Sequence, residues 1–125
     1  MKRYQNHLII AAIVLVVVAF IGFRIWQKQQ PAPNDALAQC LADKGAKFYG
    51  AYWCPHCQAQ KEAFGNSARL LPYIECAATG NSQTQECTDA GVKSYPTWVF
   101  ADGSRVTGEQ SLQSLAQKTG CQVSQ

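Results

Sequence analysis

The sequence predicts an α/β domain, in which a mixed sheet is flanked by helices, preceded by one transmembrane helix. Three observations support this fold class. An apolar run lies near the start of the 125-residue chain, strand-like and helix-like segments alternate after it, and Asp102-Gly103 separates two strand-like segments, which is a strong hairpin signal. The length leaves room for one small domain beside the apolar segment.

The apolar segment is uninterrupted from Leu8 to Phe23 and extends past Arg24 to Trp26. About 19 helical residues span roughly 28 Å, enough to cross a bilayer. A cleaved signal peptide is the alternative, but Arg24 and a polar stretch follow where a small-residue cleavage site would stand. We therefore expect an uncleaved anchor with Trp26 at the membrane interface. The expected organisation is a short flank at 1–7, the transmembrane anchor at 8–26, a linker at 27–34 and the folded domain at 35–125.

All six cysteines lie in the expected domain, a density typical of oxidising compartments, where disulfide bonds persist. The domain of this single-pass membrane protein is therefore expected to face the periplasm, the cell exterior or an equivalent lumen. Basic residues on both sides of the anchor leave the orientation nearly undecided by charge. The net charge of +3 is modest and no basic stretch with interleaved aromatic residues appears, so no nucleic-acid partner is expected.

Helices and strands alternate along the expected domain. In order they are a helix that begins at Asn34 or Asp35 and ends near Gly45, a strand at 47–52, a helix at 55–69, a strand at 72–76, a short helix that ends near Gly91, strands at 97–101 and 105–107, and a helix at 109–119. Ser82 and Gln85 are expected to form a capping box for the short helix. In the helix at 55–69, Phe64 is predicted to face the core, whereas Gln60 and Lys61 are predicted to lie outside that face.

The motif Cys54-Pro55-His56-Cys57 follows a predicted strand and begins a predicted helix. Unpaired N–H groups and the positive end of the helix dipole stabilise a thiolate at this place, which makes Cys54 the reactive sulfur. Pro55 suits the first helical position, and Cys57 can reach back to close a disulfide. His56 adds a donor or a positive charge close to Cys54. These four residues predict a redox site.

The motif has two other interpretations, half of a zinc site and a structural disulfide. A structural zinc site needs a second close pair of ligands, and the other cysteines are scattered along the chain. No metal is therefore expected. Three pairings remain for the other cysteines once Cys54 and Cys57 are paired. A local Cys76–Cys87 bridge is geometrically easy and leaves Cys40 with Cys121. Cys76 and Cys87 are either structural or a second redox pair that relays electrons to a membrane partner.

The segment from Asn34 to Cys121 resembles the thioredoxin fold. Trp53-Cys54-Pro55-His56-Cys57, then Tyr95-Pro96-Thr97, then the hairpin carry the resemblance. It implies that Pro96 is cis and lies against the active-site cysteines, so that the backbone of Tyr95 can pair with an extended client segment, with Trp53 shaping the client surface. The alternative for Pro96 is an ordinary proline at the start of a strand.

The motifs Phe48-Tyr49-Gly50-Ala51-Tyr52-Trp53-Cys54-Pro55-His56-Cys57, Leu71-Pro72-Tyr73-Ile74-Glu75-Cys76 and Tyr95-Pro96-Thr97-Trp98 are more closely similar to the thioredoxin-like domain associated with bacterial vitamin K epoxide reductase homologues. This resemblance implies that a separate quinone-linked membrane enzyme recycles the domain. One departure from the general thioredoxin pattern concerns Phe48, which stands where many of those proteins bury an acidic residue. Glu75 and water are then the remaining candidates for moving the Cys57 proton.

These observations predict a membrane-anchored thiol-disulfide oxidoreductase that acts on protein cysteines without a bound cofactor. A stabilised Cys54 thiolate stabilises the reduced form, which favours an oxidase that donates disulfides. The alternatives are a disulfide reductase or isomerase, and a non-catalytic adaptor with the same fold. The expected partners are client proteins with thiols or disulfides and a membrane protein similar to vitamin K epoxide reductase.

Overall fold

The computed structural model describes residues 2–28 and 30–123, and the chain divides into one compact unit up to Pro31 and another from Ala32 onward. The first unit contains helix α1, Lys2–Lys28. Its part from Gln5 to Lys28 comprises 24 residues, and the most apolar 18-residue stretch within it has a mean hydropathy of 2.9 and is not buried, so the helix is long and apolar enough to cross a membrane. A signal sequence near an N-terminus shares these properties. The helix includes Gln27 and Lys28, which were expected to belong to the linker.

The second unit is built around a four-stranded mixed sheet. Its elements are α2 Asp35–Asp43, β1 Lys47–Gly50, α3 Pro55–Phe64, a 3-10 helix Gly65–Leu70, β2 Tyr73–Glu75, α4 Gln85–Asp89, β3 Thr97–Val99, β4 Arg105–Thr107 and α5 Leu112–Thr119. The strand order is β2-β1-β3-β4, with β1 parallel to β2 and with β3 antiparallel to both β1 and β4. The predicted fold class, a mixed sheet with helices, is therefore confirmed, and so is the hairpin.

The centre of the sheet holds the largest side chains of the core. Phe48 on β1 is opposite Trp98 on β3, and their rings stack with centroids 4.7 Å apart. Both side chains are fully buried, as are the apolar side chains that α2, α3 and α5 contribute, namely Leu37, Leu41, Phe64 and Leu115. The apolar sides of these helices and of the sheet form one core. This packing holds in place the C-terminal end of β1, where the Cys54 motif begins.

Three predicted helix boundaries were wrong. Helix α3 ends at Phe64 because Gly65 has a φ of 57°, and the chain then continues as a 3-10 helix instead of reaching residue 69. Helix α5 begins at Leu112, because the Ser111 hydroxyl accepts a hydrogen bond from the Ser114 N–H and caps the helix there. Helix α4 is capped by Thr84, so Ser82 forms no capping box.

Gln60 was predicted to lie outside the buried face of α3, but it is buried. Its side-chain oxygen accepts hydrogen bonds from the indole N–H of Trp98 at 3.3 Å and from the Gln110 N–H at 2.7 Å. Its amide group donates to the Gln110 carbonyl oxygen at 3.0 Å. Burial of the polar side chain is possible because each of these groups has a partner. Gln60 therefore connects the active-site helix to the sheet and to the segment before α5.

Candidate active site

Cys54 is the N-cap residue of α3, with φ −79° and ψ 119°, and Pro55 occupies the first helical position. The Cys54 N–H donates to the Ala51 carbonyl oxygen at 3.0 Å, which closes the turn between β1 and α3. The Cys54 side chain makes no capping hydrogen bond, so its sulfur is not engaged with the helix backbone. It remains 5 % exposed. The free N–H groups at this helix end favour negative charge on the sulfur.

Cys57 lies one turn into α3 and is completely buried. Both Cys54 and Cys57 are free thiols in the structure. Burial, because an ionised sulfur loses its hydration there, and to a smaller extent the neighbouring Cys54 together raise the pKa of Cys57 to about 12. The two sulfurs therefore differ in access. Cys54 keeps 5 % of its surface exposed, whereas Cys57 keeps none.

Gly50, the last residue of β1, leaves the space that Cys57 occupies. A Cβ atom on Gly50 would lie 2.9 Å from the Cys57 sulfur and 2.9 Å from the Cε2 atom of Tyr73. Real Cβ atoms essentially never approach other atoms so closely. A glycine within a strand commonly marks such a close approach. The sulfur of Cys57 and the ring of Tyr73 therefore converge on the same side of β1.

Tyr73 and Glu75 extend this cluster along β2. The Tyr73 hydroxyl donates to Glu75 Oε2 at 2.8 Å, and Glu75 Oε1 accepts from the Ala77 N–H at 2.8 Å and from the Tyr52 N–H at 3.2 Å. Burial, followed by the adjacent Glu75 carboxylate, raises the pKa of Tyr73 well above its usual range. Glu75, expected as a candidate for moving the Cys57 proton, uses its oxygens to hold the turn before Cys54 in place.

Phe48 on β1 is fully buried and stands where many proteins of the thioredoxin fold bury an acidic residue. Its ring lies between those of Trp98 and Tyr73, at centroid distances of 4.7 Å and 5.2 Å. An apolar stack therefore fills this part of the core. The charged group nearest to this region on α3 is Lys61, whose Nζ lies 3.4 Å from the centroid of the Tyr73 ring. Lys61, predicted to be a solvated residue, is half-buried.

His56 lies at the surface and is 70 % exposed in its side chain. Its Nδ1 atom is 2.6 Å from Glu109 Oε1, so the hydrogen bond it makes is with Glu109. The sequence predicted that His56 adds a donor or a positive charge close to Cys54, and this effect on the sulfur stays a prediction. No sequence pattern indicated Glu109, because 53 positions separate it from His56.

Tyr95, Pro96 and Trp53 lie beside Cys54. The Tyr95–Pro96 peptide bond is cis, as the family resemblance implies, and the Cys54 thiol points to the Tyr95 carbonyl oxygen at 3.8 Å. The rings of Trp53 and Tyr95 meet edge to face with centroids 6.0 Å apart. Trp53 is 60 % exposed, and adjacent Tyr52 is also exposed. Within residues 30–123, these two are the exposed large apolar side chains. They form an exposed apolar surface beside Cys54.

The remaining cysteines form two disulfides, Cys40–Cys121 and Cys76–Cys87. Of the three pairings that the sequence left open, the structure has the one with a local Cys76–Cys87 bridge, which leaves Cys40 to pair with Cys121. The first spans 81 positions and ties α2 to the end of α5. Cys76 and Cys87 are both fully buried, with Tyr49 and Val92 around them. In the part of the chain that the structure describes, no group of three or more potential ligands could hold a metal ion.

No protein-family model matches the chain. Over 95 residues, however, it is 42% identical to thiol-disulfide oxidoreductase LTO1 of Arabidopsis thaliana, and the match covers 72% of this chain. The relative is a thiol-disulfide oxidoreductase. The matched region corresponds to 25% of that much longer protein, so the chain spans about a quarter of the relative.

Proposed function

We propose that this protein is a membrane-anchored thiol-disulfide oxidoreductase whose reacting pair is Cys54 and Cys57. The observation that carries the proposal is the unequal burial of two free thiols at one helix N-terminus, where Cys54 keeps 5 % of its surface exposed and Cys57, one turn further along α3, keeps none. The identity to a thiol-disulfide oxidoreductase over most of the chain supports the same chemistry. Proteins with thiols or disulfides are the proposed substrates.

In the direction of oxidation, the domain begins with a Cys54–Cys57 disulfide. A client thiolate attacks the Cys54 sulfur, forms a mixed disulfide and displaces the Cys57 thiolate, which takes up a proton. A second client thiolate then attacks the client sulfur of the mixed disulfide and releases Cys54 as a thiolate. The client loses two electrons and gains a disulfide, and the domain holds the two electrons as its dithiol. Reduction of a client follows the same steps in reverse.

We propose the oxidising direction because the N-terminus of α3 stabilises a Cys54 thiolate, and with it the reduced form. His56 is proposed to add to this stabilisation. The Tyr95 backbone, Pro96 and Trp53 are proposed to hold the client segment beside Cys54, since the Tyr95 carbonyl oxygen lies 3.8 Å from its sulfur and the Trp53 ring contacts the Tyr95 ring. The Cys76–Cys87 bridge is proposed to be structural because no client sulfur can reach a fully buried pair. The Cys40–Cys121 bridge is proposed to be structural because it ties α2 to the end of α5.

We propose that the protein is anchored in a membrane and that its folded domain lies in the oxidising compartment on one side of it. Helix α1 supplies a candidate anchor, and two disulfides suit an oxidising compartment such as the periplasm. A quinone-linked membrane protein similar to vitamin K epoxide reductase is the proposed partner that reoxidises the dithiol. This partner rests on the resemblance of the sequence motifs. Mixing the reduced chain with such an enzyme and a quinone should regenerate the Cys54–Cys57 disulfide, whereas unchanged dithiol would contradict the partner.

A Cys57→Ser variant tests the chemistry. Without its resolving sulfur, the variant should accumulate mixed disulfides between Cys54 and client proteins, seen as bands that reducing agent removes. A Cys54→Ser variant is the matched control and should trap nothing. A Cys57→Ser chain that also traps nothing would indicate a non-catalytic adaptor. Direction is tested separately by the reduction potential, because a value near about −120 mV indicates an oxidase and one near about −270 mV a reductase.

A further inference from the structure

Lys61 is a charged side chain near the buried sulfur, and the proposed reaction above gives it no role. It lies four positions after Cys57 on α3, so both side chains occupy the same face of the helix. Lys61 is half-buried, and its Nζ atom lies 3.4 Å from the centroid of the Tyr73 ring. A lysine whose ammonium lies over an aromatic face is held by attraction to the ring as well as by packing.

Tyr73 connects Lys61 to the sulfur. Its Cε2 atom and the Cys57 sulfur would both lie 2.9 Å from a Cβ atom on Gly50, so the aromatic ring packs beside the sulfur. The Tyr73 hydroxyl is anchored on the Glu75 carboxylate at 2.8 Å. The ring therefore has a fixed position, and the ammonium that lies over it is held near the buried thiol.

The Lys61 ammonium opposes the effect that the other surroundings of Cys57 have on its pKa. Burial and the neighbouring Cys54 raise the pKa of Cys57, whereas Lys61 lowers that pKa. The other charged or titratable groups that face the sulfur cannot supply positive charge. These groups are Cys54 on the same helix, Tyr73 with Glu75 on β2, and Tyr95 before β3.

We propose that Lys61 is a positioning residue that stabilises the Cys57 thiolate during the formation and opening of the Cys54–Cys57 disulfide. This inference deepens the proposed oxidoreductase function and rests on it. When the disulfide forms, Cys57 loses its proton to water and its thiolate attacks the Cys54 sulfur of a mixed disulfide. The thiolate of the bound molecule leaves, and the new Cys54–Cys57 bond replaces the broken one. Lys61 forms no bond in this step and contributes charge alone.

The two steps can be separated with glutathione disulfide as the probe. The full chain in detergent, with Cys54 and Cys57 reduced, is mixed with the probe, quenched by alkylation and analysed by mass spectrometry. The Cys54 thiolate first forms a mixed disulfide and releases one glutathione thiolate. Cys57 then displaces the second glutathione. In a Cys57→Ser chain only the first step takes place, and its failure there would contradict the proposed function itself, independently of Lys61.

The variants Lys61→Met, Lys61→Arg and Lys44→Met distinguish charge from packing. Lys61→Met keeps an unbranched apolar side chain without the charge, and we expect its second step to be about three-fold slower at pH 7, because fewer Cys57 thiolates form although each is more nucleophilic. Its first step should keep the normal rate. Lys61→Arg should retain the rate of the second step. Lys44→Met removes an equal charge before β1, at the end of that strand opposite to Cys54, and should change neither step.

The pH profile provides a second readout. The rate of the second step should rise with pH in every variant, and the profile of Lys61→Met should be displaced to higher pH relative to that of the unmodified chain. The inference would be overturned if the rate of the second step in Lys61→Met equalled that of the unmodified chain from pH 6 to pH 9. Equal slowing in Lys61→Met and Lys61→Arg would overturn it as well, because packing and not charge would then be the cause.

Discussion

Gly50 lies so close to Cys57 that a Cβ atom on residue 50 would be 2.9 Å from the Cys57 sulfur. The backbone of β1 thus forms one wall of the space that holds the buried thiol. The same missing side chain admits the ring of Tyr73. Glycine is unfavourable within a strand, but here its missing side chain lets both the Cys57 sulfur and the Tyr73 ring fit against the sheet.

Replacing Gly50 with alanine should displace Cys57 and destabilise the domain by about 1–3 kcal/mol, the usual cost of forcing a methyl group into a packed core. The closure of the Cys54–Cys57 disulfide should slow in parallel, because the sulfur moves from its position. Chemical unfolding and the rate of closure measure the two effects. Gly103→Ala is the control. A Cβ atom on residue 103 would meet no atom within 4 Å, and φ is +79°. This variant should therefore lose about 1 kcal/mol of stability through its backbone conformation, and the rate of disulfide closure should not change.

His56 should raise the reduction potential of the Cys54–Cys57 pair. A positive charge on its ring, two positions from Cys54, would stabilise the thiolate and hence the reduced form. His56→Ala should lower the potential by about 10 to 20 mV, which corresponds to an exposed charge interaction of under 1 kcal/mol. Equilibration in glutathione buffers measures the effect. An unchanged potential would leave His56 as a surface residue paired with Glu109.

The two disulfides should stabilise the domain unequally. Chain entropy predicts a loss of about 4.5 kcal/mol for the double variant Cys40→Ala, Cys121→Ala, which opens a loop of 81 positions. The corresponding loss for Cys76→Ala, Cys87→Ala, with a separation of 11, is about 3 kcal/mol. Urea unfolding measures both. Reoxidation of Cys54 and Cys57 by the proposed membrane partner should persist in the second variant if it remains folded, and its loss in a folded variant would instead support a relay through Cys76 and Cys87.

The reduced protein should lose stability at alkaline pH. Because the pKa of Cys57 is raised to about 12 from an unperturbed value of 9.0, the unfolded chain releases this proton at lower pH than the folded chain does. The free energy of unfolding should therefore fall as the pH rises from 9 toward 12. In the oxidised protein Cys57 carries no proton, so its stability should fall less steeply. Equal slopes in the two forms would contradict the raised pKa. Tyr73 contributes in the same direction to both forms.

Several features could be predicted from the sequence because their signals are local. The redox motif follows a strand and begins a helix, and Asp102-Gly103 joins two strands, as their residue types indicated. The helix boundaries were less well predicted. Gly65 ends α3 and Ser111 caps α5, but continuous helical patterns concealed both positions. Gln60 was placed outside the buried face because its hydrogen-bond partners, Trp98 and Gln110, are distant in the chain.

The sequence by itself determined the apolar helix, the order of the elements and the identity of the two free sulfurs, because each depends on residues that are neighbours in the chain. Only the tertiary structure decided how deeply each of these cysteines is buried, which groups surround Cys57 and which residue His56 pairs with. Gly50, Lys61 and Tyr73 come together because β1, α3 and β2 pack around Cys57. Burial and electrostatic contact depend on distance in space, and the fold sets that distance independently of separation along the chain.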